Sequence, residues 1–169
     1  MKKILLVALA LLVLTASVAM AEGEVKIGQV QYATHGTKCF AVLTVAMQGD
    51  VIADAYIDEY QFMAADSIGV PNSDADFGQS FPEGKVLASK KVNAETYSAS
   101  MAAKAGSTVS LTDNYAAIEN FVTGKTIAEV EAAFEGKTAE EAVDVVSGCT
   151  LVDTLGYVKG LVEAAKSAK

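Results

Sequence analysis

Residues 40–57 read Phe40-Ala-Val-Leu-Thr-Val-Ala-Met47, then Gln48, Gly49-Asp50, then Val51-Ile-Ala-Asp-Ala-Tyr-Ile57. Two apolar, β-branched runs thus flank a two-residue Gly-Asp connection. Glycine tolerates the positive φ that such a short hairpin loop requires, so the stretch reads as two antiparallel strands. Val25 to Tyr32 supplies a third strand in front, which makes a meander. Residues 64 to 84 change character: Pro71-Asn72-Ser73-Asp74, Gly78 and Pro82-Glu83-Gly84 punctuate an irregular surface segment. Long loops of this kind often line sites.

The second half reads as helical. Asn93 is placed to cap a helix running to Ala105-Gly106, and Thr112 or Asp113 to cap another through Val122, closed by Gly124. Thr126 with Glu129 and Thr138 with Glu141 fit the capping-box spacing, in which each side chain satisfies an exposed amide at the other's position. Gly124-Lys-Thr126 and Gly136-Lys-Thr138 resemble half of a phosphate-binding loop. The glycine that such a loop needs five residues upstream is Glu119 or Glu131, which excludes it. A last amphipathic helix is expected from Asp153 or Thr154 to near Ala168, presenting Leu155, Val158, Leu161, Val162 and Ala165 to the sheet. The expected fold class is α+β: a small antiparallel β-sheet, the N-terminal meander, packed against C-terminal helices.

At the N-terminus, Lys2 and Lys3 precede eleven apolar residues from Ile4 to Leu14, followed by the small residues of Ala19-Met20-Ala21. Residues 1–21 are therefore expected to be a signal peptide cleaved after Ala21, leaving residues 22–169 as a single domain outside the cytoplasm, periplasmic or secreted. The apolar run is too short for a membrane span, which needs roughly 20 helical residues. Without residues 1–21, 11 bases face 21 acids. That balance repels phosphate backbones, and no cluster of lysines offsets it, so no nucleic-acid partner is expected. A chain of this size buries about two-thirds of its unfolded surface and needs no metal to fold. Two cysteines, Cys39 and Cys149, allow one bridge, which would close a loop of about 110 residues and contribute about 4–5 kcal/mol; two buried thiols are the alternative.

Between the Thr138 helix and the last helix lies Asp144-Val-Val-Ser147-Gly148-Cys149-Thr150-Leu151-Val152-Asp153-Thr154. Gly148 lets the backbone turn and a ligand approach, while Ser147 and Thr150 offer hydroxyls. The helix that follows offers amides and partial positive charge to a phosphate beside Thr150. A helix C-cap glycine followed by a polar turn accounts for the same residues without a ligand.

Asp144-x-x-Ser147-Gly148-x-Thr150 resembles the flavinylation motif of FMN-binding domains, among them the flavin-carrying subunits of sodium-pumping quinone reductases. The match is clear from Asp144 to Thr150 and continues to Gly156-Tyr157; Cys149 stands where the family usually has alanine. The resemblance implies that Thr150 is joined through its hydroxyl to the phosphate of FMN by a separate FAD-dependent flavin transferase. Asp144, Ser147 and Gly148 would then be the residues that the transferase and the flavin require, with Cys149 beside the acceptor in the cofactor-binding turn. It further implies an electron-transfer carrier rather than a stand-alone enzyme, exchanging electrons with redox partner proteins or a quinone-linked membrane complex. A module that holds flavin or another planar ligand reversibly, and a cofactor-free structural surface domain, are the competing readings.

His35, the only histidine, lies in Thr34-His35-Gly36-Thr37 at a turn before the second strand. It is expected either at the surface or, if that turn faces Thr150, against the flavin. One histidine and two separated cysteines give no metal-ligand spacing, and no serine sits in a nucleophile elbow. Asp58-Glu59-Tyr60-Gln61-Phe62 ends a strand, where its rings stack on a planar ligand or close the core. The acids from Glu129 to Asp144 read as a solvated helix face.

Overall fold

The computed structural model describes residues 23–36, 38–73 and 75–169, so the expected signal peptide, residues 1–21, falls outside the described residues. The hairpin forms as its sequence dictates. Strands β2 (Cys39–Gln48) and β3 (Val51–Ala64) pair antiparallel from Cys39↔Gln61 to Gln48↔Val51, and Gly49 takes φ 59° in the loop. The register shifts between Ala46 and Met47, where β3 contributes an extra residue and bulges. Strand β1 (Val25–Tyr32) lies on the far side of β2.

The meander has one strand more than expected. Beyond Ile57, β3 continues to Ala64 and pairs with β4 (Lys85–Ser89), giving a four-stranded antiparallel sheet in the order β1-β2-β3-β4. The irregular segment is thus the connection between β3 and β4, with one short 3-10 turn at Gly78–Ser80. Five residues with only two alternations carry too little pattern to reveal β4 before its partner is known.

The helices follow in order: α1 (Ala94–Ala105), α2 (Leu111–Val122), α3 (Ile127–Ala133), α4 (Ala139–Val143) and α5 (Thr154–Lys166). Both capping boxes form. The cap of α2 is neither Thr112 nor Asp113 but Ser110, whose hydroxyl accepts from the Asp113 amide at 3.1 Å. Asn93 holds the N-cap position of α1, as expected, but its side chain makes no capping hydrogen bond. Its side chain instead accepts from the Ile68 amide and donates to the carbonyls of Ile68 and Ser89, tying the β3–β4 connection to the start of α1.

One sheet face carries the core. Ala41, Leu43, Val45 and Met47 of β2 and Ala55 and Ile57 of β3 point inward against Tyr115, Ile118 and Val122 of α2 and Val158, Leu161, Val162 and Ala165 of α5. Leu155 is only partly buried against this cluster. Helix α5 lies close on the sheet because two of its residues are glycines. A Cβ on Gly160 would sit 2.2 Å from Leu43 Cδ1, and one on Gly156 would sit 1.9 Å from the Thr34 carbonyl oxygen. The second of these contacts holds the turn that carries His35. The opposite sheet face stays open, with Val25, Ile27, Phe40, Tyr56 and Phe62 exposed. Among the described residues, no helix is long and apolar enough to cross a membrane.

Candidate functional site

Asp144 ends α4, and the chain then turns through Gly148, which takes φ 86°. A non-glycine residue adopts that conformation only at a cost, so the glycine is needed for the turn itself. Asp144, Ser147 and Gly148 are exposed on this turn, Cys149 is buried, and Thr150 emerges on the surface. The Thr150 backbone amide donates to Asn114 Oδ1 at 2.6 Å, and its hydroxyl lies 3.3 Å from the same oxygen. Asn114 is fully buried in α2 and donates through Nδ2 to the carbonyls of Val109 and Ser110. It thereby fixes Thr150 to the start of α2.

Thr150 borders a cavity of about 470 Å³ whose lining includes His35, Lys90, Tyr97, Met101 and Tyr157. His35 and Thr150 therefore border the same cavity. Asp144, Ser147, Gly148 and Cys149 do not line the cavity. Nor do Tyr60 and Phe62: Tyr60 stacks on Phe40 with ring centroids 5.8 Å apart, and Phe62 meets Phe81 edge-on at 5.2 Å. The start of α5 offers less than expected to an anion. The Thr154 amide and hydroxyl both donate to the Leu151 carbonyl, and the Asp153 carboxylate stands among the cavity-lining residues. A larger cavity of about 980 Å³, between Tyr32, α3 and α5, holds none of these groups.

Beneath the Thr150 cavity lies a polar network whose centre, Glu59, sequence reasoning had only as part of an edge segment. Glu59 follows Ala55 and Ile57 in the inward slots of β3 and is fully buried opposite Ala41, whose small side chain leaves it room. Oε2 accepts from Lys90 Nζ at 2.5 Å, Tyr157 at 2.7 Å and Tyr115 at 3.4 Å. Oε1 accepts from Thr34 at 2.8 Å and lies 3.2 Å from His35 Nε2. Burial pushes the Glu59 carboxyl up, but the charge of Lys90 and the hydrogen bonds from Lys90, Tyr157 and Thr34 outweigh it and hold the carboxyl below its ordinary value. Burial pulls Lys90 down, and Glu59 more than reverses this. The signal was present in the sequence: a carboxylate that follows Ala55 and Ile57 in the inward register of a strand needs partners.

Cys39 belongs to the same cluster, with Sγ 2.8 Å from His35 Nε2. Burial, then Glu59, pushes its thiol up to about 11, which keeps it protonated and unsuited to nucleophilic attack. Cys149 lies elsewhere, its Sγ 3.1 Å from Thr154 Oγ1, and no disulfide joins the two cysteines. The fold brings together what the sequence spacing separated, since ligand-type atoms of His35, Cys39 and Glu59 lie within 4.8 Å of one another. The ammonium of Lys90, 3.4 Å from His35 Nε2 and 3.8 Å from Cys39 Sγ, already supplies the positive charge there.

Searches against protein-family models, curated proteins and solved structures gave no match to this chain.

Proposed function

We propose that the chain is an extracytoplasmic redox carrier that holds FMN covalently on Thr150. The observation that carries this reading is an exposed threonine hydroxyl, on a turn that needs glycine, at the border of a 470 Å³ cavity walled by Tyr97, Met101, Leu111 and Tyr157. Ligand cavities of about 300–1,000 Å³ with apolar and aromatic walls suit a planar cofactor. The residues present fit the ring and its attachment: Thr150 offers the ester oxygen, the aromatic and apolar walls suit the ring, and His35 is the part-exposed polar side chain beside them, Lys90 being paired to Glu59.

When bound, FMN supplies reversible one- and two-electron transfer, and the chain supplies attachment, orientation and a low-dielectric surround. Asn114 holds the Thr150 backbone, and α5 closes one wall with Tyr157. The ester requires an FAD-dependent flavin transferase, and the electrons require redox partner proteins or a quinone-linked membrane complex. Export fits the leader-like residues 1–21 and the acidic remainder.

Produced in a host that contains the transferase, the protein should gain the mass of FMN less one water, and Thr150→Val should remain unmodified in intact-mass spectrometry. An unmodified wild-type mass overturns the covalent reading. Yellow colour released on denaturation would assign the same cavity to reversible flavin binding, and a colourless protein would leave a cofactor-free domain.

A further inference from the structure

Electrons delivered to the Thr150 cavity would bring negative charge next to a buried network built around the paired Glu59 and Lys90. His35 is in contact with Cys39 of β2, Glu59 of β3 and Lys90, just after β4, while Thr34 of its own turn and Tyr157 of α5 reach it through Glu59. Tyr97 of α1 and Asp153, just before α5, share the cavity wall, and Tyr115 of α2 reaches Glu59 from behind. Glu59 and Lys90 cancel each other. Burial pushes the Tyr115 and Tyr157 hydroxyls far above their usual range, and the Cys39 thiol is raised too, so these three stay protonated. Imidazole is the side-chain type in this set that changes charge near neutral pH. His35 also keeps a quarter of its side chain in solvent while its Nε2 lies 3.2 Å from Glu59.

We propose that His35 is a redox-linked proton site: it takes up one proton from solvent when electrons enter the Thr150 cavity and returns it when they leave. The inference rests on the flavin reading of that cavity. The electrons come from a reduced protein or quinol partner, which is oxidised, and reduce the flavin; protons that the flavin binds at its own nitrogens are additional to the one on His35, and the charge they leave uncompensated acts on the imidazole. The proton comes from a buffer acid at the exposed edge of the ring, and a nitrogen lone pair of the imidazole forms the new N–H bond. The conjugate base stays in solvent. Glu59 stabilises the resulting imidazolium, Lys90 opposes it, and the negative charge in the cavity tips the balance toward uptake. Because Glu59 is oriented by four other donors, it is a fixed partner for the ring and does not have to reorganise.

The chain has a single histidine, so one imidazole signal reports the event in the unaltered protein. The experiment is an NMR pH titration of the histidine ring in flavinylated protein, oxidised and then fully reduced under anaerobic conditions, with the flavin load verified by intact mass. The titration midpoint should move to higher pH on reduction. Proton uptake counted with a pH indicator in weak buffer should fall by up to one per flavin in His35→Gln. Coincident oxidised and reduced titrations on fully loaded protein overturn the inference and leave the flavin reading standing. A wild-type protein with no covalent or reversibly bound flavin overturns both.

Discussion

At the level of single residues, Glu59 and Lys90 dominate, because each is a buried charge compensated mainly by the other, at 0% and 2% exposure. Replacing such a pair by apolar groups is often tolerated, whereas removing one partner leaves an uncompensated charge and costs about 3–5 kcal/mol. Lys90→Met should lose about that much stability at pH 7, measured by urea denaturation. The pH dependence has a defined sign. Glu59 is held below its ordinary value of 4.5, so its contribution in the wild type is present above that pH and is lost as pH falls through the folded value. Lys90 is held above 10.5, so its contribution is present below that pH and is lost as pH rises through the folded value. In Lys90→Met the ammonium is gone and burial acts on Glu59 against the neutral donors and the His35 ring, so the gap to wild type should close as pH is lowered toward 4. A gap that does not change with pH would show that the cost is lost packing of the lysine stem and not the unpaired carboxylate.

Among the elements, the helix caps separate what a pattern specifies from what it leaves open. Thr126 and Thr138 were legible because a capping box has two members at fixed spacing, and both form. At the start of α2 the expected caps were Thr112 and Asp113, and the residue that caps, Ser110, lies just before both. Ser110 caps because its own backbone is extended while Leu111 already lies in the helix. Ser110→Ala should therefore cost about 1 kcal/mol, while Thr112→Ala should stay within about 0.5 kcal/mol, both measured by thermal or urea unfolding. Strand β4 is the element the sequence concealed. It exists because β3 runs past Ile57 and leaves an edge that Lys85–Ser89 satisfies, a non-local pairing that no window of a few residues records.

For the whole molecule, stability rests on one core between the sheet and α2 and α5, with no covalent tie between Cys39 and Cys149. The midpoint of thermal unfolding should therefore be the same with and without a thiol reductant. A fall in the presence of reductant would reveal a bridge. Cys39 is held at the His35 cluster and Cys149 beside Thr154, at the far end of the Gly148 turn. The acidic surface and the polar network are separate features, since the charges that matter at the cavity are almost all internal.

The sequence alone determined the local geometry: the Gly49 hairpin, the two capping-box helices, the amphipathic α5 and the turn at Gly148 all follow from backbone preferences and periodicities a few residues long. It also placed Thr150 on that turn and left His35 either at the surface or against the same site. Tertiary structure decided which residues share the cavity. Close approach of α5 through Gly156 and Gly160 sets Tyr157 under the His35 turn, and pairing of β3 with β4 delivers Lys90 to Glu59. Such contacts join positions far apart in the chain, and they exist only where two packed surfaces meet, which periodicity along one segment does not encode.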